Sequence, residues 1–152
     1  MKKILIVLIS ATLLNSSCIK DNGKSLTDST YMEISYQDKS GNDLLNSQTQ
    51  GYFDASNIHV FKMVDGIKKE VNRPMADYPH DFLIFKDETI NRYYIRVFLD
   101  NPTYLQLSQN TMDTLTCEIY KSHGNRGIKN FYYNGKLYWD DVSKPQRITI
   151  IK

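Results

Sequence analysis

Two dipeptides constrain this chain more than anything else in it. Asp65-Gly66 and Asn134-Gly135 each separate two short apolar runs, Ile58 to Val64 from Ile67 to Val71 and Phe131 to Tyr133 from Lys136 to Trp139. A two-residue hairpin loop needs positive φ at its central positions, which Asp-Gly and Asn-Gly tolerate best, so each pair predicts a tight antiparallel hairpin. The segments around them repeat every second residue. Met32, Ile34 and Tyr36 alternate with Glu33 and Ser35, giving a strand with one wet face. Tyr93, Ile95, Val97 and Leu99 oppose Arg92, Tyr94 and Arg96, and Leu115, Cys117 and Ile119 oppose Thr114, Thr116, Glu118 and Tyr120. Phe82 to Phe85 and Tyr104 to Leu107 are shorter runs, and Ile148 to Ile151 after Pro145 reads as a closing strand paired inside the fold. No window of similar length carries apolar residues at helical spacing with caps at both ends, so helix should be scarce. Turn signals roughly every 8 to 12 residues point to an antiparallel sandwich or barrel. The expected fold is all-β, a single antiparallel β-sandwich of about seven to eight strands.

The N-terminus sets location. Lys2 and Lys3 precede an apolar run from Ile4 to Leu14, and Asn15-Ser16-Ser17 leads into Cys18. The run is about half of the roughly 20 apolar residues that span a bilayer, so it reads as a signal segment removed before Cys18. Asn15 stands where a lipoprotein signal usually has Leu, Ala or Val, and an ordinary secretory signal is the alternative. The expected organisation is a signal peptide at 1–17, a polar tether at 18–29 and a β-sandwich domain at 30–152, with the membrane reached through lipid on Cys18. Each buried methylene contributes about 0.8 kcal/mol, so two or three acyl chains make such an anchor durable. Ile19 in place of Asp after the cysteine favours the outer membrane by analogy with enterobacterial sorting, and leaves its periplasmic and outer faces both open.

Removing residues 1–17 from 152 leaves 135, enough for one domain that buries about two-thirds of its surface without disulfides or metals. Lys2 and Lys3 account for the net charge of +2, since 17 basic residues then face 17 acidic ones. A neutral chain without a Lys/Arg cluster has no electrostatic footprint for nucleic acid. Cys117 has no partner once Cys18 is acylated, and in an alternating apolar run it reads as a small core residue.

No stretch carries a catalytic signature. His59, His80 and His123 lack a second His or Cys at ligand spacing. Asp77-Tyr78-Pro79-His80-Asp81 gathers two carboxylates and an imidazole, a weak metal site at most and more simply a polar loop. Asp38 to Asp43 is oxygen-rich, but it misses the glycine position and terminal Glu of a calcium loop, and a β-turn explains it better. There is no G-x-S-x-G elbow, and the neighbouring carboxylates Asp87-Glu88 and Asp140-Asp141 have no reason to face each other across a cleft. The chain is therefore expected not to be an enzyme, with no catalytic residue, metal or cofactor. Its conspicuous supply is aromatic: Tyr93, Tyr94, Tyr104, Tyr120, Phe131, Tyr132, Tyr133 and Tyr138, beside the single Trp139. Aromatics suit a half-buried sheet, and turned outward they also stack on sugars or anchor a protein. Tyr132, Tyr138 and Trp139 are the candidate binding residues. Two readings follow, an interaction or structural module meeting another envelope protein, and a lipoprotein that binds glycan or another small ligand.

Gly41-Asn42-Asp43-Leu44-Leu45, Gln50-Gly51-Tyr52-Phe53 and Asn57-Ile58-His59-Val60-Phe61 resemble the opening of a family of small, uncharacterised lipoproteins from Bacteroidales. Tyr104 to Leu107, Asp113 to Ile119 and Phe131 to Trp139 extend the likeness over nearly the whole chain after the signal. The resemblance implies an envelope location and an immunoglobulin- or transthyretin-like sandwich. It transfers no activity.

Overall fold

The structure, a computed structural model, describes residues 28–122 and 125–152. Its strands are β1 (Asp28–Ser29), β2 (Tyr31–Gln37), β3 (His59–Val64), β4 (Ile67–Glu70), β5 (Phe82–Asp87), β6 (Arg92–Phe98), β7 (Thr103–Ser108), β8 (Thr111–Ser122), β9 (Asn125–Tyr133), β10 (Lys136–Trp139) and β11 (Arg147–Ile151). One 3-10 turn, Ala55–Asn57, is the only helical element among the described residues. Signal, tether start and Cys18 lie outside them, as does His123.

Both hairpins form as the dipeptides require. Asp65 and Gly66 sit at φ 52° and 76°, and Asn134 and Gly135 at 50° and 78°. The second turn is tied down further. Asn134 accepts the Thr114 N–H through Oδ1 at 2.7 Å and donates through Nδ2 to Asp113 Oδ1 at 2.9 Å. Asp113 is buried, and Lys152 Nζ reaches both its oxygens at 2.9 and 2.8 Å, joining β8 to the end of β11.

Two sheets face each other. The seven-stranded one runs β1-β9-β8-β7-β3-β4, with β10 sharing with β1 the outer edge of β9, and the four-stranded one runs β11-β2-β6-β5. Met32, Ile34 and Tyr36 from β2 and Ile95 and Val97 from β6 meet Val60, Leu105, Leu115 and Phe131 from the larger sheet in one core. Full burial of side chains of this size stabilises by about 1.5–3 kcal/mol each, which is why the period-2 pattern dominates the fold. Cys117 belongs to this core, and burial pushes its thiol up to about 11.

The all-β sandwich is therefore present, with four differences from expectation. Among the described residues there are eleven strands instead of seven or eight, one of them the short Asp28–Ser29. That short strand pairs in parallel with Arg126 and Gly127, so pairing begins before the tether's expected end at residue 29. The closing strand β11 pairs inside the fold as expected, but in parallel with β2, at the edge of its sheet. Last, Glu33 and Ser35, expected on a wet face, are 5% and 0% exposed.

Candidate functional site

The burial of Glu33 and Ser35 on the outward side of β2 points to what covers them. The strand registers align Arg147, Glu33, Arg96 and Leu83 in one row across all four strands of the smaller sheet. Long side chains from both neighbours fold over the centre of that row. Glu33 Oε1 accepts Arg96 Nε at 3.1 Å and Nη2 at 2.5 Å, and Glu33 Oε2 accepts Arg147 Nε at 2.5 Å. Arg147 reaches on through Nη1 to Asp87 Oδ2 at 2.6 Å. That bond holds the Asp87 carboxyl below its usual range. Burial works against the Arg147 charge, but its bonds to Glu33 and Asp87 outweigh this and raise its pKa.

Aromatic rings frame the two guanidiniums. Arg96 Cζ lies 4.6 Å from the Tyr31 ring centre and 5.3 Å from that of Phe85, while Arg147 Cζ is 4.6 Å above Tyr94. Phe85 and Tyr94 stack at 6.0 Å, Tyr31 meets Phe98 edge-on at 6.3 Å, and Tyr78 leans on Phe98 at 4.7 Å. Each cation–π contact adds about 0.5–1 kcal/mol at an exposed site. The larger effect is geometric, since planar groups locked by a buried carboxylate lose little further freedom when something binds them. Leu83 and Ile151 extend the face, 37% and 58% exposed.

At one end of this face a polar cleft of about 530 Å³ opens between the sheets, lined by Lys62, Arg73, Tyr78, Asp81, Phe98 and Asp100 among others. Asp81, at φ 57° and 2% exposed, points inward to Lys62 Nζ at 2.6 Å and to Arg73. Desolvation lowers the Lys62 pKa. This inward turn splits the Asp77 to Asp81 stretch: Asp77 is exposed and His80 Nδ1 lies 3.4 Å from the Val71 carbonyl oxygen. Among the described residues no three His, Cys, Asp or Glu side chains gather as metal ligands.

The other oxygen-rich loop uses its carboxylates as acceptors for backbone and amide donors. Asp38 accepts from Asn42 Nδ2 and from the Ser40 and Asn42 N–H groups at 2.7–2.9 Å, and these bonds, the Asn42 side chain's first, lower its pKa. Asp43 accepts instead from the backbone of Leu45 and Tyr93, so the two carboxylates serve different segments.

The three aromatics singled out in the sequence do not converge. Tyr132 lies on the outer side of the larger sheet, donating its hydroxyl to Glu118 Oε1 at 3.1 Å. Tyr138 packs edge-on against Tyr133 at 5.8 Å, beneath Lys136 Nζ. Trp139 belongs to the core at 6% exposure, with its indole N–H donated to the Pro145 carbonyl at 3.0 Å. The reason is a bulge. Leu137 pairs with Tyr132, yet Trp139 pairs with the next residue, Phe131, so Tyr138 is the extra residue and Trp139 swings inward. Only the rim of Trp139 reaches a shallow groove of about 300 Å³, with Tyr31 and Tyr120.

Of the residues that do assemble, Glu33, Tyr94 and Arg96 stand in the sequence only as outward positions of alternating strands, and Tyr31, Phe85 and Arg147 carry no such mark. The Arg-x-Tyr-x-Arg spacing of residues 92–96, with Glu33 at a position of the opposite pattern, is the signal that could have found them. No family model, curated protein or solved structure matches the chain. No helix among the described residues is long and apolar enough to cross a membrane.

Proposed function

We propose that this chain is an outer-membrane lipoprotein, anchored through Cys18, that serves as a non-catalytic interaction module in the cell envelope. Its contact surface in this reading is the outer face of the four-stranded sheet, and the occupant is another envelope protein. One observation supports it above the others: Arg96 is held by buried Glu33 and framed by Tyr31 and Phe85 on a face no third layer of the described residues covers. Tyr and Arg are the residues that dominate the centres of protein interfaces, and they do so most effectively when prearranged. The glycan reading is weaker, because Tyr132, Tyr138 and Trp139 occupy three different environments and form no shared platform.

The test is a photo-crosslinking residue at Thr149, beside Ser35 on this face, introduced in intact cells. The expected result is a discrete adduct with a second protein that disappears with Arg96→Ala. Loss of the adduct is not expected on replacing Lys129 on the larger sheet. A folded, membrane-associated protein that gives no such adduct overturns the proposed role. Membrane fractionation unchanged by Cys18→Ala overturns the proposed anchor.

A further inference from the structure

Four sheet edges are present among the described residues, and on the smaller sheet β5 is the longer of the two, six residues against the five of β11. On the larger sheet, β10 and β1 occupy one edge, with β10 close to β11 of the other sheet. The opposite edge, β4, carries Lys68, Lys69 and Glu70 in its four residues, the charged pattern by which proteins discourage strand addition. On the smaller sheet, β5 reads Phe82-Leu83-Ile84-Phe85-Lys86-Asp87, pairs with β6 without any register shift, and has no proline. Each of its residues keeps some exposure.

The ladder also sets which backbone groups are free. Phe98 donates its N–H to the Asp81 carbonyl at 2.9 Å, and the register then turns Leu83, Phe85 and Asp87 toward β6. The N–H and C=O groups of Phe82, Ile84 and Lys86 point to the open edge, where no backbone partner is found among the described residues.

We propose that β5 pairs antiparallel with β5 of a second copy of this chain, with Ile84 facing Ile84 across the two-fold axis. This register exchanges hydrogen bonds between the outward groups of Ile84, and between those of Phe82 and Lys86. On the outer face it sets Leu83 beside Phe85 of the second copy, apolar against apolar, and on the opposite face it sets Lys86 across from Phe82. No like charges meet within residues 82–86; at each end Asp87 falls opposite Asp81 of the second copy, whose carboxylate is turned inward to Lys62 and Arg73. Pairing β4 with itself about its centre would instead oppose Lys68 and Lys69, which costs stability. The second copy thus fits the edge by its own sequence, in the isologous manner usual for symmetric dimers. The two aromatic faces become one eight-stranded sheet. This inference rests on the edge alone and stands whatever the Arg96 face binds.

Leu83 and Phe85 of the second copy form a non-hydrogen-bonded pair, for which Cα atoms lie about 4.5 Å apart, within disulfide range. The test uses the full chain in detergent. Leu83→Cys mixed with Phe85→Cys is expected to cross-link under mild oxidation, and Lys68→Cys mixed with Lys69→Cys to remain uncross-linked. Sedimentation velocity of the unmodified chain is expected to show a dimer with a Kd below about 1 mM. Ile84→Pro removes the N–H that the axis uses twice and is expected to weaken association about tenfold. Circular dichroism confirms its fold, and the cysteine pairs test the register where the proline variant does not fold. A monomer at every concentration, a dimer cross-linked through β4, or a monomer that takes up an added extended peptide instead overturns the proposal.

Discussion

Glu33 and Arg96 lie directly opposite each other on β2 and β6, and the guanidinium places two hydrogen bonds on a single oxygen of the carboxylate. The second oxygen is left for Arg147 from the other side. One buried acid thus organises two cations and the rings around them.

Glu33→Ala should therefore destabilise by about 2 kcal/mol, less than for a fully buried ion pair because both arginines are partly exposed. Urea denaturation measures this. Glu88→Ala, which breaks an exposed pair with Lys86, should stay within about 0.5 kcal/mol of the parent.

Cys117 should be unreactive in the folded chain. With its thiol raised to about 11, about one molecule in a thousand carries the thiolate at pH 8, and the side chain is buried as well. In a Cys18→Ala background, Ellman's reagent should label it at least about a hundredfold faster in urea than in buffer. Equal rates would place the thiol outside the core.

The acid limb of stability has a definite sign. Asp38 and Asp87 have folded-state pKa values below their ordinary ones. As pH falls the unfolded chain takes up these protons first, so the stabilisation is complete above the unfolded value of about 3.9 and is lost as pH drops through the folded values. Melting temperature should fall below about pH 4. Asp38→Ala should lower Tm at pH 7 and flatten that decline.

Tyr120 and Gly127 should behave as a unit. They pair across β8 and β9, and a Cβ added to Gly127 would stand 2.6 Å from the Tyr120 ring. Gly127→Ala should cost about 1 kcal/mol, since the ring must swing away. In a Tyr120→Ala background the same change should cost much less, and additive losses in the double-mutant cycle would show that the ring does not cover the glycine.

Strand positions were legible because hairpin dipeptides and period-2 alternation are local properties. Asp65-Gly66 and Asn134-Gly135 needed only their own backbone preferences, and Cys117 only its apolar neighbours. What could not be read depends on partners far along the chain. Glu33 looks wet until Arg147 is known to lie beside it, and Asp81 looks like a loop carboxylate until Lys62 receives it. Trp139 was misplaced by one extra residue, since a bulge reverses every facing beyond it and has no dependable sequence mark.

The parallel pairing of β11 with β2 has a kinetic consequence. Glu33 and Arg147 are 114 positions apart, so the centre of the aromatic face closes one of the longest loops described in the fold. Contacts of such separation form slowly, because the entropy of closing the loop is lost before they reward it. During synthesis Glu33, Tyr31 and Arg96 emerge long before residue 147, and until then the carboxylate has only one of its two cations. The surface that distinguishes this protein is therefore the last part of it to come into being.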